Sequence, residues 1–178
     1  MTAGASLGEI ARHMMATMAR EGALFRGGVP PRLEAVGAFP TACISYIDAD
    51  NTAGLETTGK VIQSHISVTA SLADRQMVKD ICGMVAHRCA VLLAMALVAV
   101  VQHVRENCGH PVSRPTVVMF DGGCYENFDS LRARIRGATD QILEWVYGDE
   151  APSVELKQCK GGSCLGAAIL AAAALSKR

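Results

Sequence analysis

The sequence predicts an α/β fold that is rich in helix and carries two strands near its C-terminal end. Three observations predict it. A segment from Asp74 to Asn107 has helical apolar periodicity and no proline. Beyond Pro115 the pattern changes to apolar run, Gly-Gly turn and helix, and it does so twice. No stretch has the composition of a linker, so the 178 residues are read as one domain, 1–178.

The N-terminal stretch "MTAGASLGEIARHMMATMAR" is rich in Ala, Met and Arg, as a transit peptide is, but contains Glu9. Ser6-Leu7-Gly8-Glu9 has the form of a capping box, which predicts an ordinary folded helix from near Leu7. "FRGGVPPRLEAVGAFP" is crowded with Gly and Pro and predicts an irregular connection with at most one helical turn. A helix resumes at Thr41, with Ile44, Ile47 and the acidic pair Asp48 and Asp50 on different faces. Residues 51–71 carry no clear pattern.

The long helix follows, with Gly83 as its weak point. Its apolar run Cys89 to Val101 is shorter than the roughly 20 residues a bilayer requires, so no membrane span is expected. The run predicts instead a helix buried on nearly all sides. Thr116 to Phe120 is then the first strand, leading through Gly122-Gly123 to a helix around Asp129 to Tyr147. Val154 to Cys159 is the second, leading through Gly161-Gly162 to an Ala-rich helix near Leu165 to Leu175.

Lys+Arg and Asp+Glu balance at 17 each, which gives no field for nucleic acid or an anionic membrane. Seven cysteines form no CxxC pair and predict reduced, mostly buried thiols. His13, His65, His87, His103 and His110 form no cluster. Gly54 to Val61 imitates a P-loop but has Val61 where a magnesium-binding hydroxyl belongs, and no strand precedes it.

The two Gly-Gly turns are the stronger candidates for chemistry. Backbone N–H groups at a strand-to-helix turn can cradle a phosphate, and glycine lets it come close. The same glycines can also merely end a strand; two such turns on successive strands favour a nucleotide site. Asp121 stands where a carboxylate either meets magnesium or caps the turn.

"SLGEIARHMMATMAREGALF", "GAFPTACISYIDAD", "RCAVLLAMALVAVV", "FDGGCYENF" and "GGSCLGAAILAAAALSKR" resemble, in order, the last five landmarks of the eukaryotic hexokinases. The resemblance implies an incomplete actin-like, RNase-H-like ATPase fold, the C-terminal part of the large lobe. It also implies ATP with Mg as cofactors and transfer of the γ-phosphoryl group to the 6-hydroxyl of glucose or another hexose. The family's sugar-recognition segments, first phosphate loop and general base precede these landmarks and have no counterpart here. Hexose binding is therefore expected only with an N-terminal portion, and the chain alone is expected to be inactive. A short protein that binds a nucleotide or a partner without catalysis is the alternative.

Position by position, the family's nucleotide contacts fall on Gly4 and Ala5, where Ala5 replaces a basic residue, and on the hydroxyls of Thr41 and Ser45. They continue through Asp121, Gly122, Gly123, Cys124, Tyr125, Glu126 and Asn127, with Gly123 in place of a serine. They end on Gly162 and Ser163, beside Cys164 in place of a glycine. The resemblance also implies that the strands leave an open sheet edge and the long helix an uncovered apolar face, so self-association is expected. The cytoplasm is the expected location, the terminal "SKR" not being the peroxisomal signal.

Overall fold

The computed structural model describes residues 2–109 and 114–175, which form eight helices, a 3-10 turn and two strands. His110 and the terminal Ser176-Lys177-Arg178 lie outside the described residues.

Helix α1 (Gly4–Arg20) opens at Gly4 rather than near Leu7, and the expected capping box does not form. Ser6 lies inside the helix, its N–H donating to Ala3 O at 2.8 Å. Glu9 instead accepts from Arg12 Nε and from the Gly37 N–H, at 2.9 and 2.7 Å. Arg12 is 3% exposed and also donates to Leu33 O at 2.6 Å. A guanidinium so deeply placed must be paired, and that need outweighs the capping of one amide. The same bonds hold the Glu9 carboxyl below its ordinary pKa, the Arg12 side chain first and the Gly37 amide second.

Helix α2 (Pro31–Glu34) is the one turn expected in the Gly/Pro-rich connection. Helix α3 (Thr41–Asp48) buries Cys43, Ile44 and Ile47. Asp50 lies beyond its end, so the two acids do not share a helix as expected. Asp48 accepts from Arg134 Nη2 at 2.9 and 3.2 Å and from the Ser130 hydroxyl.

Residues 51–71 hold a further helix, α4 (Glu56–Ile66), which buries Thr58, Ile62 and Ile66. Helix α5 (Leu72–Asn107) runs 36 residues and starts from a capping box of Ser71 and Asp74. Its buried residues, among them Val78, Ile81, Cys82, Val85, Cys89, Leu97 and Val101, form one stripe. Met84, Leu92, Met95 and Val100 on the other side are exposed. The expectation of a helix buried on nearly all sides is thus corrected: no described element covers that side. An 18-residue window of α5 has mean hydropathy 2.2, long and apolar enough to cross a membrane by composition, and 44% of it is packed inside the fold.

Strands β1 (Thr116–Phe120) and β2 (Val154–Gln158) pair in parallel, in register from Thr116 with Val154 to Phe120 with Gln158. Parallel neighbours need a crossover. Helix α6 (Gly123–Asn127) and helix α7 (Asp129–Tyr147) provide it, and α7 packs along α5. Helix α8 (Gly162–Leu175) follows β2 and buries none of its residues. Val117 and Met119 are exposed on β1, and both outer strand edges are open among the described residues.

Two apolar cores result. The larger gathers α1, α3, α4 and the first half of α5 around Met15, Ile44, Ile62 and Ile81, closed by Phe128, Leu131 and Ile135. The smaller joins Leu97, Val98 and Val101 of α5 to Leu143 and Val154. All seven cysteines are free. Only Cys43, Cys82 and Cys89 are buried, so "mostly buried" is corrected: Cys108 and Cys164 are exposed and Cys124 and Cys159 half-buried. Cys108 follows the end of α5, Cys159 and Cys164 flank the start of α8, which buries nothing, and Cys124 packs only partly against the larger core.

Candidate functional site

The first glycine turn is built by steric permission and by stacking. Gly122 has φ 137°, which only glycine adopts freely, and it lets the chain leave β1 and enter α6 at once. Tyr125 then lies flat on Phe120, ring centroids 4.1 Å apart and planes 8° from parallel. Arg132 closes the other end of α6 by donating to Tyr125 O and Glu126 O, at 2.8 and 2.7 Å. The turn is held from both sides.

Opposite it stand the start of α1 and the start of α3. The Thr41 hydroxyl accepts the Gly8 N–H at 3.0 Å and donates to Gly4 O, so one side chain joins the two helices. Ser45 Oγ donates to Asn127 O at 3.2 Å and ties α3 to α6. Asn127 Nδ2 donates to Gly123 O at 2.9 Å.

Between these walls lies a cleft of about 850 Å³. Ten of the thirteen sequence-derived residues line it: Gly4, Ala5, Thr41, Ser45, Asp121, Gly122, Gly123, Cys124, Tyr125 and Asn127. Glu126, Gly162 and Ser163 do not. Ser163 is nevertheless joined to the cleft, because its N–H and hydroxyl both donate to Asp121 Oδ2, at 2.9 and 2.7 Å. Those bonds, the hydroxyl's first, hold the Asp121 carboxyl below its ordinary pKa.

The cleft's lining also includes Thr2, Tyr46, Cys89, Leu93, Leu131 and Ile135, which sequence reasoning missed. Cys89 and Leu93 belong to the apolar run of α5 and carry no signal apart from core. The signal for Tyr46 was only its place next to Ser45 on α3; its 60% exposure comes from the fold. Burial pushes the Cys89 and Cys124 thiols up from their ordinary pKa.

Chemically, the cleft has an apolar floor and a rim of hydroxyls and bare backbone. Nothing lies within 4 Å of where a side chain on Gly122 would begin, so a ligand can reach that backbone. Among the described residues no Lys, Arg or His lines the cleft, and Asp121 is the one carboxylate that does. No group of three or more His, Cys, Asp or Glu among the described residues is placed to hold a metal ion. A polyphosphate would therefore have to bring its divalent cation with it.

The P-loop imitation from Gly54 to Val61 takes no part. Its residues open α4, and the Thr58 amide within it is occupied by the Asp50 carboxylate at 2.7 Å.

The family model described as Hexokinase matches residues 1–173. Hexokinase-2, chloroplastic, of Nicotiana tabacum is 35% identical over 173 residues, covering 96% of this chain and 34% of its own length. Human hexokinase-2 is 32% identical over 98% of this chain and 18% of its own length. The chain thus spans about a third or less of these relatives' lengths. Among solved structures, the hexokinase of Schistosoma mansoni complexed with glucose superposes with a TM-score of 0.71 at 20% identity, covering 88% of this chain and 32% of that one. The architecture is accordingly a partial actin-like, RNase-H-like kinase fold, helix-rich with two parallel strands. The chain belongs to the hexokinase family.

Proposed function

We propose that these residues form the nucleotide side of an ATP:hexose 6-phosphotransferase, the reaction that phosphorylates glucose as the first step of glycolysis. One observation carries the reading: residues from α1, α3, the β1 turn and α6 converge on one cleft beside bare glycine backbone. Phosphoryl transfer rests on positioning and electrostatic stabilisation. Magnesium ATP would supply the γ-phosphoryl group and the neutralising cation.

This chain's own residues would hold and orient the nucleotide. The amides of Gly122 and Gly123 lie at the rim for phosphate oxygens, and the exposed ring of Tyr46 offers a flat apolar surface. The hydroxyl protons of Thr41 and Ser45 are engaged by backbone carbonyls, so those oxygens meet a ligand as acceptors unless they rotate.

Hexose would bind only together with the portion of the relatives that this chain does not match. Asp121, the one carboxylate that lines the cleft among the described residues, is engaged by Ser163, which leaves none of those residues placed as a general base. The proposal therefore includes that the 178 residues alone do not turn over glucose. Residence in the cytoplasm is part of it, although the tobacco relative is described as chloroplastic; fractionation of the native protein decides that point.

Isothermal titration of magnesium ATP, with and without glucose, tests the reading. Binding that ignores glucose is expected. Absence of binding at millimolar ATP would overturn the nucleotide site, and turnover in a coupled assay that disappears on heating would overturn the inactivity. A second reading, docking of a partner without catalysis, is favoured by the uncovered apolar residues Leu165, Ile169 and Leu170 of α8. Self-association through them and the open strand edges would appear as concentration-dependent mass in analytical ultracentrifugation.

A further inference from the structure

Asp121 follows β1 immediately, yet the donors it receives lie beyond β2: the N–H and hydroxyl of Ser163 at the start of α8, with the Gly161 amide beside them. The Cys159 N–H donates to Phe120 O at 2.8 Å one step earlier, so the two turns are joined twice in succession. Gly162 then lies so close to Cys159 that a side chain's first carbon would fall 2.6 Å from Sγ. Past that point α8 has little to hold it, since none of its residues is buried and no described element packs substantially on it. The place of α8 relative to the cleft is therefore decided at its first residues.

On the reading of the cleft as a nucleotide site, we propose that Asp121 is a positioning residue, which acts through Ser163 to set α8 and the second glycine turn at the cleft's rim beside the nucleoside. It does not ligate magnesium. The two Ser163 donors converge on Oδ2 and commit that oxygen to the start of α8, so it is not free to ligate a metal. The arrangement also answers an electrostatic difficulty. An unpaired carboxylate on the cleft would repel a polyphosphate, whereas one engaged by the N-terminal residues of a helix has its charge partly offset there. The second turn then contributes shape for the nucleoside while its Ser163 amide is already occupied.

Two measurements on the full chain test this. The first is hydrogen exchange of the α8 amides from Leu165 to Leu175 in wild type, D121A and D121N. Exchange about tenfold faster in D121A, with an intermediate rate in D121N, is expected, because the asparagine oxygen still accepts. The second compares titration of magnesium ATP with magnesium tripolyphosphate, which lacks the nucleoside. D121A should weaken ATP about tenfold and change tripolyphosphate by no more than about twofold.

Equal losses for both probes would mean that Asp121 acts on the phosphates or their metal, and would overturn the proposal. Unchanged exchange in D121A would overturn it too, whatever binds. A wild-type chain that binds neither probe would overturn the nucleotide reading and the nucleoside role with it. S163A, which keeps the amide donor and loses the hydroxyl, should fall between wild type and D121A in both measurements. An S163A as damaged as D121A would contradict the sharing of two donors.

Discussion

The Asp50 carboxylate receives both the N–H and the hydroxyl of Thr58, at 2.7 and 2.9 Å. Its other oxygen accepts from Thr52, N–H and hydroxyl alike, at 3.2 and 2.7 Å. The start of α4 is therefore capped from outside the helix by an acid eight positions away.

Substituting Asp50 by Ala should cost about 2 kcal/mol, since it leaves the buried Thr58 donors without an acceptor. The pH dependence has a definite sign. Burial acts to raise the Asp50 carboxyl, but the bonds from Thr58 and Thr52 outweigh it and hold the pKa at about 2, against an ordinary 3.8. The folded value lies below the unfolded one, so this stability is complete above pH about 4 and is lost as the pH falls towards about 2. Urea melts across that range should show wild type losing about 1–2 kcal/mol more than D50A, allowing for solvent screening. Parallel curves for the two proteins would refute the assignment.

Gly8 in the middle of α1 should not tolerate alanine. In an open helix that exchange stabilises by about 0.5–1 kcal/mol. Here the new carbon would stand 2.1 Å from Phe39 O, 2.7 Å from Thr41 N and 2.8 Å from Pro40 C, all backbone atoms. G8A should destabilise by about 3 kcal/mol, and because the displaced segment includes Thr41 it should also weaken any ligand of the cleft. Guanidinium melts give the first quantity directly.

Thiol labelling of the native chain should resolve classes of cysteine. Cys108 and Cys164 are exposed and should react fast with a disulfide reagent, and the C108S/C164S double variant should lack that phase. Cys43 and Cys82 should wait for unfolding, since burial pushes the Cys43 thiol up to about 11 and the Cys82 thiol further in the same direction. Rapid modification of more than two thiols would show that the native packing around them is looser than described.

The long helix and the two strand-turn-helix units were legible because each is written in local terms: period, absence of proline, and glycine pairs after apolar runs. Helix α4 was not, because its beginning is determined by Asp50 from outside and by Leu55 in a left-handed conformation at φ 48°. Glu9 has the spacing of a cap, yet it serves Arg12 and Gly37, and only tertiary structure brings Gly37 to it. The site shows the same division. Its glycines and hydroxyls could be named from sequence, but the engagement of Asp121 by Ser163, 42 positions away, has no local signature. Leu93 reads as core in any sequence, and being core on one side is compatible with flooring a cleft on the other.

At 1.5 Å per residue the 36 residues of α5 make a rod about 54 Å long. Both apolar cores are attached to it, one along each half. Turning such a rod by about 5° around its centre would carry each end through roughly 2 Å, more than a close-packed interior absorbs without rearranging. Cys89 and Leu93, the residues it contributes to the cleft, lie near its midpoint. The cleft thus lies beside the pivot of the rod, between the two cores, where a small tilt of α5 displaces its wall least.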